Sequence, residues 1–513
     1  MLRPLSRRSA LALAGVLAAG AAPLGRASAQ AAKGGTLSVA LALDAGNWDP
    51  IATFLVDWSK VANNIYDGLT QRGADLKLVP GLATGWKVAD DGLSIRFDLR
   101  KGVTFHNGEP FDAAAVKYTF TRLLGPEGAK GPQQSNYNAI DHVEVLDDHT
   151  VNMVLKVPDP VLLTKLAGYG AMIVPPKYLA EKGPEYFAAH PVGTGPFAFA
   201  SYEPKVGISL KANPNFWGGA PKIEGVNFRF IAEPSTEVAE LQAGRIDIAS
   251  AIPLAQIETI KAQSNLAVLS VPGPTVVVLR FNTRNGITHD ENVRKAMIMA
   301  VDRDTIVQEI LLGQAKPIVS FQSEVSFGYD PAVTPLSLDP GAAKKLLAAA
   351  KVAPGTPVQI DIRGSDATFR EVAQAVAGYL QGVGLKPTVK PYETSVLLND
   401  IVPNGKTGEL FHTAWGGWTF DYDNTAYLMY HTGEKWNPYD SDPQLDKLLE
   451  QQRVVLDPAK RLAMLRQVGA YVAGRALELP LYNLTTFVGI TKRVKGFDLP
   501  GDSRFRFNDV TLA

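Results

Sequence analysis

The segment "TVVVLRFNT" occupies Thr275–Thr283, and "LPLYNLTTFVGIT" occupies Leu479–Thr491. Both are dense in β-branched and aromatic residues, so each reads as a strand. They lie far apart in the chain. If they run side by side, the chain passes twice between two bodies, and residues 284–480 form a lobe inserted between the crossings. A double crossing of this kind makes a hinge, and the cleft beside a hinge is where small ligands usually bind.

The flanking sequence supports a mixed α/β texture. "LSIRFDLRKGVTFHNGEPF" (Leu93–Phe111) alternates at Leu93, Ile95, Phe97 and Leu99, then turns at Asn107-Gly108. Asp112 follows as a helix cap, with an apolar stripe at Val116, Phe120 and Leu123 that stops at Gly125-Pro126. "VEVLDDHTVNMVL" reads as a hairpin turning at Asp147-Asp148. Residues 292–313 carry helical stripes at Val293, Ala296, Met297 and Ala300, then at Ile306, Ile310 and Leu311. Asp442-Pro443 and Asp457-Pro458 each place a cap ahead of a proline in the first helical turn.

The chain has 513 residues, 46% of them apolar, with 51 basic and 51 acidic residues. Its length suggests two or three domains at about 150 residues each. Near-neutral charge argues against a nucleic-acid partner and against an anionic membrane surface. Cysteine is absent, so disulfides and a lipid-modified N-terminal cysteine are excluded. "MLRPLSRRSALALAGVLAAGAAPLGRASAQ" has a basic start, a small-residue apolar run from Ala10 to Leu24, and Ala27-Ser28-Ala29 as a cleavage pattern. The run is shorter than the ~20 residues needed to span a bilayer. Arg7-Arg8 after Ser6 is similar to a twin-arginine export signal, with Ala10 where phenylalanine is usual. The expectation is export to a bacterial periplasm, with cleavage near Ala29.

Local catalytic motifs are missing. None of the seven histidines forms HExxH or another helix-spaced metal pair, and the acids and histidines of Asp141–His149 fall on the expected hairpin. "GKT" at Gly405–Thr407 lacks the upstream glycine of a phosphate loop, and "GTGPF" at Gly193–Phe197 is too proline-bound to open a dinucleotide-binding helix. GxSxG and SxxK are absent, and so is any thiol. The chain is read as a binding protein, not an enzyme, with no cofactor and no metal.

Six blocks carry a resemblance. "YDGLT" (Tyr66–Thr70), "FDLRKGVTFHNGEPFDAAAVKYTF" (Phe97–Phe120), "PVGTGPFAFASYEP" (Pro191–Pro204), "LKANPNFW" (Leu210–Trp217), "LQAGRIDIA" (Leu241–Ala249) and "LRFNT…DENVRKAMIMAVDRDTIV" (Leu279–Val307) follow one another in that order. Their order and wording resemble the family 5 extracellular solute-binding proteins, the dipeptide/oligopeptide-binding class that feeds ABC importers. The match runs from about Gly34 to Phe497. Taken alone, most of these blocks read as turns and strand entries. The resemblance implies a two-lobed α/β periplasmic binding protein of the type II-like large cluster, with an extra domain in lobe I. Lobe I would comprise residues 33–68, 192–281 and 484–513, the extra domain 69–191, and lobe II 284–480. Hinge closure would enclose a ligand and expel water, and the closed protein, acting as a monomer, would dock on a membrane permease.

The stretch "AWGGWTFDYDNTAYLMY" (Ala414–Tyr430) sets two tryptophans beside Asp421 and Asp423 with no lysine or arginine nearby. In the family a Trp-x-x-Asp segment lines the cleft, and its aspartate takes the α-ammonium of a bound peptide. Trp418-Thr419-Phe420-Asp421 matches that spacing, preceded by Gly417. The resemblance thus makes Asp421 the ammonium partner and Trp418 a wall, with the backbones of Gly417 and Thr419 pairing to an extended ligand. A desolvated carboxylate is costly alone, and an arriving cation relieves that cost. Indole faces add about 0.5–2 kcal/mol of cation–π attraction. Trp415 reads equally as core or as cage. Thr53, Phe54 and Tyr137 stand where family members approach ligand, Asn282 lies at the expected hinge as a further ligand candidate, and Arg363 or Arg370 could receive a ligand carboxylate. Peptide-binding members often carry proline soon after the aspartate, whereas "DYDNTAY" has none. The tyrosine usual before the helix at Ala342–Ala350 is also missing. The family's range leaves the cargo open among short peptides, glutathione, oligosaccharides, opines and nickel chelates. The reading from a different class is an exported hydrolase using Asp421 and Asp423 as an acid/base pair.

Overall fold

A computed structural model describes residues 34–73 and 75–513; the export signal expected over residues 1–29 lies outside them. The two stretches read as crossings do pair. Strand Leu266–Phe281 runs antiparallel to strand Glu478–Thr491, from Leu266 opposite Thr491 to Arg280 opposite Glu478. The first strand starts earlier than the sequence pattern implies, because pairing resumes on both sides of a break between Pro272 and Val276. The break falls at Pro272-Gly273-Pro274. Proline has no N–H to give a ladder, so strands bulge and bend there.

Around these two strands lies an eleven-stranded mixed sheet. On one side of the pair come, in order, Leu410–Gly416, Pro357–Arg363 and Lys386–Tyr392. On the other come Ile248–Ala249, Thr36–Leu41, Gly225–Phe230, Gly207–Ala212 and Phe197–Glu203. The short strand Ala315–Pro317 pairs with the second crossing strand. The protein is two-lobed, and each side of the sheet has its own core. One core gathers Val39, Trp58, Phe228 and Phe507; the other gathers Met297, Ile360, Val372 and Val376.

A third core belongs to a four-stranded antiparallel sheet, Ala83–Val88, Ser94–Leu99, Thr150–Leu155 and Ile140–Asp147. Ile95, Phe97 and Leu99 turn inward while Arg96 and Asp98 face water, the period of a half-buried strand. Helix Ala113–Leu124 covers that face, and its Asp112 cap accepts a hydrogen bond from the Ala115 amide. The helices Pro443–Gln452 and Pro458–Gly474 begin, as the sequence implies, at Asp442 and Asp457 with proline in the first turn. These two helices bring Arg453 and Arg461 towards the Trp418 turn. No helix among the described residues is long and apolar enough to cross a membrane.

Candidate functional site

Strand Leu410–Gly416 pairs along its whole length with the first crossing strand, from Phe281 opposite Leu410 to Thr275 opposite Gly416. On its other edge it meets Pro357–Arg363 only at Ile360–Leu410 and Asp361–Phe411. The two strands then part, and a cavity of about 110 Å³ opens between them. Arg363 lines it from the end of its strand, with His412, Trp415, Leu398 and Trp436 around it. The Arg363 Nε, both His412 ring nitrogens and the Trp415 Nε1 have no hydrogen-bond partner among the described residues. Buried polar atoms are normally paired, so a cluster of unpaired ones facing an apolar hollow suits a ligand that brings its own polar groups. Burial, aided by Arg363, pushes the His412 imidazole down to about 3, which keeps it neutral. His412 also stacks on Phe369 at 3.5 Å.

The strand ends in the turn Gly417–Asp421. Gly416 sits against Thr275 so closely that a Cβ would collide with it. Within the turn the Phe420 amide donates to the Gly417 carbonyl, and Phe420 itself adopts φ +55°. A bulky residue in this left-handed region is strained, and surrounding contacts must hold it. Asp421 then caps helix Tyr422–Tyr430, accepting from the Asp423 amide.

The expectation that Asp421 waits without a counter-charge is corrected here. Arg461 donates to both of its oxygens, at 2.6 and 2.8 Å, and the two side chains are only 9% and 4% exposed. Burial raises the Asp421 carboxyl above the usual carboxylate range against the pull of Arg461. Asp423 is likewise engaged, by Gln452 and by Arg453 at 2.8 and 3.1 Å. Burial opposes its charge, but Arg453 and then Arg461 outweigh burial and hold the carboxyl below its ordinary value. The two acids of the hydrolase reading are therefore each tied to an arginine of their own. Neither arginine was visible from the local sequence, because both arrive on helices that follow some thirty to forty positions later.

Trp418 meets residues from the first third of the chain. Its ring lies 6.3 Å from that of Phe54 and 5.9 Å edge-on from that of Tyr169. Gly168 lets the indole approach, since a Cβ there would run into its six-membered ring. Arg72, from the hairpin Thr70–Arg72/Leu78–Pro80, donates to the carbonyls of Trp418 and Thr419 at 3.1 and 2.8 Å. The carbonyls of Gly417, Trp418 and Thr419 are thus engaged within the chain, unlike the backbone left free for ligand that the resemblance implies.

Other expected residues go elsewhere. Thr53 accepts from the Leu55 amide through its hydroxyl and from Gln133 through its carbonyl. Tyr137 is fully buried, its hydroxyl donating to the carbonyls of Lys165 and Tyr169. Asn282 is 1% exposed and spends its amide on the turn that follows, donating to Thr407 and accepting from Arg284 and Asn285. Trp415 and Arg363 line the hollow, whereas Phe54 and Trp418 pack against each other and Tyr169. Among the described residues no group of three histidines, cysteines or acids is placed to hold a metal ion.

A sequence model of bacterial extracellular solute-binding proteins, family 5 (Middle), matches residues 77–437. A glutathione-binding protein, GsiB, of Pectobacterium atrosepticum is 27% identical over 462 residues, covering 88% of this chain and 89% of the relative. Di/tripeptide-binding protein 2 of Pseudomonas aeruginosa is 27% identical, covering 85% of this chain and 86% of its own. Among solved structures, the periplasmic binding protein DppA of Helicobacter pylori, in complex with the peptide STSA, superposes with a TM-score of 0.79. It is 25% identical, covering 94% of this chain and 98% of that one.

Proposed function

Because the chain belongs to the bacterial extracellular solute-binding proteins of family 5, we propose that it captures a short peptide or similar amine-bearing small molecule and delivers it to an ABC importer. The hollow between strands Pro357–Arg363 and Leu410–Gly416 carries this reading. Two arginines line it, of which Arg280 already donates to the Met429 and Trp436 carbonyls while Arg363 is the freer one; His412 lies in its wall, and the indoles of Trp415 and Trp436 border it. In this assignment Arg363 receives a cargo carboxylate, its guanidinium already partly stripped of water. The faces of Trp415 and Trp418 receive the ammonium by cation–π attraction. Asp421 belongs to the turn that presents Trp418, since a cargo amine would have to displace Arg461 from it.

Residues 33–68, 192–281 and 484–513 act as lobe I, 69–191 as its extra domain and 284–480 as lobe II, hinged at the two crossing strands. The twin-arginine-like start and the cleavage pattern near Ala29 support a mature protein in the periplasm, where it acts as a monomer that meets the permease when closed. The glutathione- and di/tripeptide-binding names of its relatives favour a small peptidic cargo.

A thermal-shift panel of dipeptides, tripeptides, glutathione, an oligosaccharide and a nickel chelate tests the reading. Saturable stabilisation by peptides or glutathione, lost in Arg363→Ala, is expected. Stabilisation by the sugar alone would overturn the cargo class.

A further inference from the structure

Arg72 is a half-buried cation whose hydrogen bonds, among the described residues, go to carbonyls and not to a carboxylate. Its guanidinium lies over the Phe420 ring, 4.8 Å from the centroid. The three groups it touches, two successive carbonyls and a ring, belong to the turn that carries Trp418. They sit on the lobe opposite to the Arg72 hairpin. Phe420 is also the residue held at φ +55°. We propose that Arg72 is a positioning residue, a latch that fastens lobe I to the Gly417–Asp421 turn on closure and thereby sets Trp418 in place. This rests on the reading that the lobes close around cargo.

The chemistry suits a reversible catch. Two N–H groups of one planar fork reach adjacent carbonyls, a geometry that a lysine point charge cannot reproduce. Burial, and then the nearby Arg504, push the Arg72 guanidinium down to about 9, so its charge is held at a cost that opening relieves by returning it to water. Charge-assisted hydrogen bonds gained on closure are therefore offset by desolvation. Opening frees the turn of Arg72's hydrogen bonds and of the guanidinium over Phe420, while the Phe327 amide still holds the Phe420 carbonyl. Cargo would therefore meet a less firmly held turn in the open protein than in the closed one.

The absence of cysteine gives a clean test. Lys101→Cys and Lys447→Cys, both at exposed positions on opposite lobes, accept a donor and an acceptor dye for single-molecule energy transfer. Distances and dwell times are recorded alone and with glutathione, and alongside them the thermal midpoint. Arg72→Ala is expected to shorten closed-state dwells by about tenfold or more, the scale of one or two lost charged hydrogen bonds. Arg72→Lys is expected to recover part of this, with the thermal midpoint of lobe II little changed in both. The latch is overturned if Arg72→Ala matches the parent in closed fraction and dwell time under every condition. It is equally overturned if the parent never populates the short-distance state, or if the lysine variant behaves no better than alanine. Should glutathione leave the traces unchanged while Arg72→Ala still shortens the dwells, glutathione is not the cargo and the latch stands.

Discussion

Replacing Asp421 with alanine separates the two roles a cleft aspartate can have. The substitution leaves Arg461, 4% exposed, without its bidentate partner, and removes the cap of helix Tyr422–Tyr430. Breaking a buried ion pair by deleting one partner costs about 3–5 kcal/mol, because the survivor keeps its desolvation cost. A lost N-cap adds about 1 kcal/mol. Urea unfolding at neutral pH should therefore show a loss of about 5 kcal/mol. Asp421→Asn keeps the shape and much of the cap and should lose somewhat less. A double variant, Asp421→Asn with Arg461→Met, should be less damaged than the sum of its parts, with a coupling of about 2 kcal/mol. If Asp421→Ala costs under about 1 kcal/mol and yet abolishes peptide binding, the carboxylate belongs to the cargo and the pairing argument is refuted.

Gly168→Ala drives a Cβ into the Trp418 ring. Overpacking of this sort costs about 1–3 kcal/mol, and here it falls on the closed form, so cargo affinity should drop more than tenfold while the unfolding midpoint moves little. Arg363→Ala should weaken a carboxylate-bearing cargo by a similar factor in calorimetry, and a cargo lacking that group hardly at all. Glu478, on the second crossing strand and hydrogen-bonded by Tyr430, is pushed up to about 7 chiefly by burial. A folded value above the unfolded one means its contribution is complete below about pH 4.5 and is lost as pH rises through 7. Stability should thus fall by about 3 kcal/mol across that window. Glu478→Gln, which keeps a partner for the Tyr430 hydroxyl, should flatten the slope; an unchanged slope in denaturation at pH 5 and 8 would assign it to other groups.

Much of the framework was legible because its signals are local. The Asp112, Asp442 and Asp457 caps, the alternation at Ile95, Phe97 and Leu99, and the hairpin, whose turn falls at Asp148-His149, one residue later than the sequence implies, each depend on neighbours within a few residues. The pairing of the two crossing strands was stated as a condition, and their shared β-branched content made it reasonable. The electrostatics of the site was not legible in the same way. A window around Asp421 contains no basic residue, but helices following Asp442 and Asp457 return Arg453 and Arg461 to it. Arg72 arrives from the other lobe. The resemblance puts Tyr137 near ligand and the sequence puts Asn282 at the hinge, but the Tyr137 hydroxyl is spent on two backbone carbonyls and the Asn282 amide on the following turn and Thr407. His412 gave no motif at all; its interest comes from the parting of two strands, which sequence spacing does not reveal.

The most direct measurement is native mass spectrometry of protein exported to the periplasm and purified without denaturation. The account predicts a one-to-one small-molecule adduct that carries both an amine and a carboxylate, present on the parent protein and absent from Arg363→Ala. A parent protein that carries no adduct and gains none on incubation with dipeptides, tripeptides or glutathione would contradict it, as would an adduct retained in full by Arg363→Ala.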